Sequence, residues 1–295
     1  MYSKKQKKSG FTLIELSIVL VIIGLIAGGV LVGRDLIHAA EIRAQVSQIE
    51  KYNAATNTFK VKYNALPGDI AEPNATAFGF VARGSNKGEG DGDGAITGSG
   101  DLYGVSDWNM NGAYYASVQG GGETNLFWND LAKAGLIEGK YIGDNTLNSY
   151  NLNELFPSSK LGNGHVIVWS GGFTGNSGGT NNRDRYNYFN VLKMNRIDWP
   201  ASNITPSQAY SIDSKIDDGL PQSGNIQDLV INIFGLVYYA NGEGAWFTAV
   251  SDTSATPASD TSCFDNGGNA GTTQKYSVGT NGGNGLNCAL SFRFQ

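Results

Sequence analysis

From Leu16 to Gly33 the chain carries no charged residue, and its only hydroxyl is Ser17. A helix over these eighteen residues rises about 27 Å, close to the hydrocarbon thickness of a bilayer. A core helix seldom stays apolar on every face for about five turns, so the run predicts a membrane span. Beyond Arg34 the pattern changes. Ile42, Val46, Ile49, Asn53, Thr56, Phe59 and Tyr63 recur at steps of three and four with charged or polar neighbours between them. That spacing predicts one apolar face and one wet face. Leu66-Pro67-Gly68-Asp69 stops it. The two patterns together predict one helix from Phe11 to about Tyr63, roughly 80 Å long, a spine half embedded and half covered by a head.

The remainder is mixed and punctuated by glycine. Asn125–Gly135 predicts a short helix, apolar at Leu126, Phe127, Leu131 and Ala134. Thr205-Pro206 opens another through Ile216, stopping at Gly219. Strands are predicted at His165–Trp169, Tyr186–Met194, Leu229–Tyr239, Ala245–Val250 and Ala289–Phe294, with a hairpin turn at Asn241-Gly242. The expected fold class is α+β, a long helix packed on a mainly antiparallel sheet with long Gly-rich loops; the chain has 41 glycines.

Charge sharpens the N-terminus. Lys4, Lys5, Lys7 and Lys8 fall within the first ten residues, and without them 17 basic residues face 26 acidic ones. A chain that acidic is a poor holder of nucleic acid. The lysine-rich end is expected to stay cytoplasmic, with the rest outside. An ordinary secretory signal is cut after its apolar region at a small-residue site, and Ala27-Gly28-Gly29 offers one. The better site precedes the run, at Ser9-Gly10/Phe11, where cleavage removes the basic leader and keeps the helix. Glu15 is a carboxylate inside an otherwise apolar segment, a functional residue by default, unless it only reaches the nearby interface. Cys263 and Cys288 are the two cysteines. In the cytosol they would be separate buried thiols; outside it a disulfide is the better reading, adding roughly 3 kcal/mol.

The lysine-rich leader, Gly10, Phe11-Thr12-Leu13-Ile14-Glu15 and the apolar run resemble the prepilin cleavage and methylation signature of type IV pilins and type II secretion pseudopilins. The resemblance implies cleavage after Gly10 by a prepilin peptidase, N-methylation of Phe11, and neutralisation by Glu15 of a neighbouring subunit's amino terminus. Paired charges in low dielectric are tolerable where single ones are not. It also implies a pilin-like fold, a single pass of the inner membrane with the N-terminus cytoplasmic and the head periplasmic, and partnership with other pilin-like subunits and an inner-membrane assembly platform. The segments expected are a leader (1–10), a transmembrane helix (11–36), its amphipathic continuation (37–64) and a globular head (65–295). Val32 stands where many pilins carry proline. Trp128…Leu131…Ala134-Gly135-Leu136-Ile137 and Asp213…Asp217-Asp218-Gly219…Pro221 resemble phrases of minor pilin heads. The head is larger than a repeating shaft subunit needs, which favours a minor or tip-associated structural subunit; a tip adhesin on the same anchor is the alternative.

Within the head, Glu89, Asp91 and Asp93 alternate with glycine before Gly94 and Ile96, like the first half of an EF-hand loop. The twelfth position is Gly100, so Asp101 or water would have to complete a shell for a structural Ca2+; the alternative is a solvated acidic loop. Asp213, Asp217 and Asp218 read as turn-forming side chains. His38 and His165 have no nucleophile motif nearby, and no His/Cys cluster suggests zinc or a catalytic dyad, so no enzyme is expected. The aromatic residues can line a sugar-binding face but more often fill core and sheet faces.

Overall fold

The computed structural model describes residues 10–84, 89–96, 122–143, 151–170, 186–196, 199–231, 237–239 and 255–294. The leader residues before Gly10, Asp101, the Asn241-Gly242 turn and the predicted strand Ala245–Val250 lie outside them. The chain falls into two compact units, residues 1–43 and 44–295.

Helix α1 (Leu13–Tyr63) begins at Leu13 because Thr12 caps it. The Glu15 N–H donates to Thr12 Oγ1 at 3.3 Å, and the Thr12 N–H donates to Glu15 Oε2 at 2.8 Å. This reciprocal pair closes two of the N–H groups that a helix start leaves open. At the other end Asn64 takes a left-handed conformation (φ 54°), which terminates the helix ahead of Pro67. In the first unit the large apolar side chains from Leu13 to Ile37 are all exposed, and the most covered of them, Ile22, is still 49% exposed.

In the second unit the end of α1 is one-sided. Gln45, Ile49, Tyr52, Ala55, Thr56 and Phe59 are buried. Ile49, Thr56 and Phe59 of the expected stripe are buried, but Gln45 and Tyr52 take the places of Val46 and Asn53, which are only half covered. Specific partners outweigh bare hydrophobicity. Gln45 Oε1 accepts the Lys160 and Leu161 N–H groups at 2.7 and 3.3 Å, and Tyr52 packs edge-on against Trp128 with centroids 4.8 Å apart.

Short helices α2 (Asn74–Ala77) and α4 (Leu152–Leu155) flank α3 (Glu123–Lys133), which begins two residues before the sequence expectation. Helix α5 (Pro206–Ile216) opens with the capping box Thr205/Gln208 and proline in its first turn, as Thr205-Pro206 predicts. The strands are β1 (His165–Ser170), β2 (Asn187–Arg196), β3 (Trp199–Ala201), β4 (Ile226–Ile231), β5 (Val237–Tyr239), β6 (Phe264–Asp265), β7 (Lys275–Tyr276) and β8 (Leu290–Arg293). Among the described residues one antiparallel sheet runs β1-β2-β8-β4-β5, with β3 on β2, and β6-β7 form a separate hairpin. The α+β class holds.

One strand expectation fails. Leu229–Tyr239 is two strands, with Leu229, Val230 and Ile231 of β4 opposite Tyr239, Tyr238 and Val237 of β5. Apart from Asn232 and Gly235 the segment is a run of apolar and aromatic residues, so periodicity does not reveal a reversal; those two residues are the available turn signal. The core lies where α3 meets the sheet, with Leu126, Phe127, Trp128, Leu131, Ile167 and Phe189 fully buried.

Candidate functional site

Two places carry the chemistry the sequence singled out. The first is the start of α1. Among the described residues Gly10 has no neighbour within 4 Å of where a Cβ would stand, and Phe11 is 89% exposed. Glu15 Oε2 also accepts the Thr12 hydroxyl at 2.8 Å. Its carboxylate is thereby turned back along the helix, beside the peptide that follows Phe11. Those contacts use Oε2.

The second is the loop at 89–96. Its order comes from buried acids outside the alternating run. Asp69 accepts Gly92 N–H at Oδ1 (2.8 Å) and Gly94 N–H at Oδ2 (2.9 Å). Glu123, buried at the start of α3, accepts the N–H groups of Gly90 and Asp91 at 3.0 and 3.3 Å. Asp130 accepts Gly68 N–H at 2.7 Å and the Arg83 guanidinium at 2.6 Å, both side chains fully buried. Arg83 also donates to the carbonyls of Ile70 and Val81. Gly68, Gly90, Gly92 and Gly94 all have positive φ, which lets the amides point at these carboxylates. A Cβ on Gly68 would lie 2.5 Å from the Glu123 carbonyl oxygen. Burial pushes both Asp69 and Asp130 up to about 6, against the donors that favour their charged forms.

Of the residues expected to hold a cation, Asp91 and Asp93 come together with Asp69, their carboxylate oxygens within 4.8 Å of one another. Glu89 is not in that group. Its carboxylate lies against Gly84 instead. Asp91 and Asp93 also serve the loop itself, accepting the N–H groups of Asp93 and Ala95. Three converging carboxylates suit a hard cation, but these close the loop on peptide donors as well. Sequence reading missed Asp69, Glu123, Asp130 and Arg83. The alternating glycines, more than the alternating acids, were the signal.

The Asp213 group holds loops too. Asp213 Oδ2 accepts the Tyr276 hydroxyl at 2.8 Å and Oδ1 accepts Gly219 N–H at 3.1 Å. Burial moves it up to about 7. Asp217 accepts the Asn225 and Ile226 N–H groups, and Asp218 those of Leu220 and the Ser223 hydroxyl. Cys263 and Cys288 are joined by a disulfide, Cα atoms 4.9 Å apart. Of the histidines, His38 lies beside Glu41 and His165 is bonded to Asn153.

Residues 5–31 match the family described as the prokaryotic N-terminal methylation motif. The N-terminus carries a prepilin-like methylation motif. The match covers the segment holding Gly10, Phe11, Glu15 and the apolar run, and leaves the head unassigned. No curated protein and no solved structure matches the chain. The prepilin motif implies processing by a prepilin peptidase and pilin-like assembly, and with the apolar helix it indicates membrane anchoring before assembly. Families with this motif are structural.

Proposed function

We propose that the chain is a structural subunit, minor or tip-associated, of a type IV pilus or a type II secretion pseudopilus. It is cut between Gly10 and Phe11 and enters the filament through α1. The observation that carries this reading is a helix that starts at Leu13, just after the Gly10–Phe11 junction, and carries up to Gly33 no charge but Glu15. In lipid such a helix has no penalty to relieve, so association rests on close packing and on Glu15. A neighbour's Phe11 amine would offset the Glu15 charge. The four leader lysines favour a cytoplasmic start, and the Cys263–Cys288 disulfide suits a head in an oxidising compartment. A head spanning residues 65–295 is large for a repeating shaft unit, which supports the minor or tip role.

Two variants test the reading together. Gly10→Leu is expected to keep the leader, read as an uncut N-terminus by mass spectrometry. Glu15→Ala is expected to be cut and inserted normally but lost from sheared filaments. Normal incorporation of Glu15→Ala would sink the pairing role, and a free Phe11 in Gly10→Leu would sink the cleavage site.

A further inference from the structure

Asp228 in β4 is buried beside the disulfide, and one of its oxygens lies within 4.8 Å of both Cys263 Sγ and Cys288 Sγ. It completes the sheet locally. Its own N–H is taken by the Pro221 carbonyl, Leu229 N–H by the Ala289 carbonyl, and Ala289 N–H donates to Asp228 Oδ1 at 3.1 Å. None of the ion pairs among the described residues involves it. While the sulfurs are joined they carry no charge. Once the bond opens, two ionisable thiols and a carboxylate share one buried pocket with no ion-pair partner among the described residues, an arrangement that recruits either protons or a metal.

We propose that reduction converts this corner of the head into a zinc site, with Cys263, Cys288 and Asp228 as ligands and water in the fourth position. Two thiolates and a carboxylate suit a borderline-soft ion, and Zn–S bonds of about 2.3 Å place tetrahedral ligands roughly 3.5–4 Å apart. The oxygen-to-sulfur spacing already lies within about 1 Å of that range. Only the sulfurs need to separate, by side-chain rotation. The Ala289 N–H orients the carboxylate, as supporting donors do around metal ligands. With a phosphine reductant, the phosphine becomes phosphine oxide using the oxygen of water, and the sulfurs leave as two thiols. Zinc then binds them as thiolates while two protons pass to solvent. The chain before oxidation would use zinc as the staple that the disulfide later becomes.

The test uses the full chain in detergent micelles, reduced anaerobically with a phosphine and titrated with Zn2+. The expected result is one zinc per chain that restores near-ultraviolet circular dichroism, with binding at least about tenfold weaker in Cys263→Ser/Cys288→Ser and in Asp228→Asn. The double serine variant separates this site from the surface acids. Co2+ on the reduced wild type supplies a readout independent of whether Asp228→Asn folds, through its thiolate charge-transfer absorption. No such absorption, zinc that fails to restore the signal, or wild-type affinity in the double serine variant would each overturn the site.

Discussion

In the first part of α1 every large apolar side chain from Leu13 to Ile37 lies open, whereas in the last part Tyr52, Ala55, Thr56 and Phe59 are buried. The same helix serves two solvents. Apart from Glu15, the open stretch up to Gly33 needs little beyond length and apolarity, the requirements of a bilayer span. The buried stretch needs particular partners, to the point that Gln45 is buried where Val46 is not. Glycine draws the same contrast. Gly24, Gly28, Gly29 and Gly33 have no neighbour within 4 Å of a built Cβ, while Gly68 would strike the Glu123 carbonyl. One region tolerates change within the single chain; the other is fixed by it.

The contrast is most easily broken at the buried ion pair. Arg83→Met leaves Asp130 in the core without its cation, and guanidinium unfolding should show a loss of about 3–5 kcal/mol. A loss near zero would mean the pair is dispensable. Next in size is the glycine comparison. Gly68→Ala, at positive φ and against a backbone oxygen, is expected to lose about 3 kcal/mol, while Gly24→Ala should leave the melting of the head unchanged. Equal effects would dissolve the distinction between the regions.

A smaller effect is expected from pH. Asp69 and Asp130 sit at about 6 and Asp213 at about 7, all raised from an ordinary 3.8. Between those limits the folded chain holds more protons than the unfolded one, so stability falls as pH rises. The contribution is complete below about pH 4 and is lost through about pH 7. The head should melt higher at pH 5 than at pH 7.5, and Asp213→Asn should flatten the upper part of that slope; a rise with pH would contradict the assignment. Smallest is the response to chelation. Asp69, Asp91 and Asp93 already accept peptide N–H groups, so EDTA is expected to leave the melt unchanged. A fall reversed by calcium, and absent in Asp69→Asn, would assign a cation to this loop.

The legibility of the sequence follows the same division. The span, the Thr205 cap, β1, β2 and β8 could be read because each is declared by neighbouring residues. Strands β3, β6 and β7 have two or three residues each, too few for a period to show. The acidic loop suggests a cation cradle because its acids lie close together in sequence. The carboxylates that order it are distant, with Gly90 and Glu123 separated by 33 positions and Gly68 and Asp130 by 62. Local patterns cannot announce such partners, and the same holds for Asp228 and its two sulfurs.

Strand β8 sits between β2 and β4, although it is the last strand in chain order. Until Leu290–Arg293 has been synthesised, the β1-β2 and β4-β5 pairs have nothing to join them. The sheet therefore cannot be completed until nearly the whole chain has left the ribosome. A stop codon a few residues before Leu290 would cut out the middle of the sheet, leaving two exposed edges with nothing to mask them from aggregation.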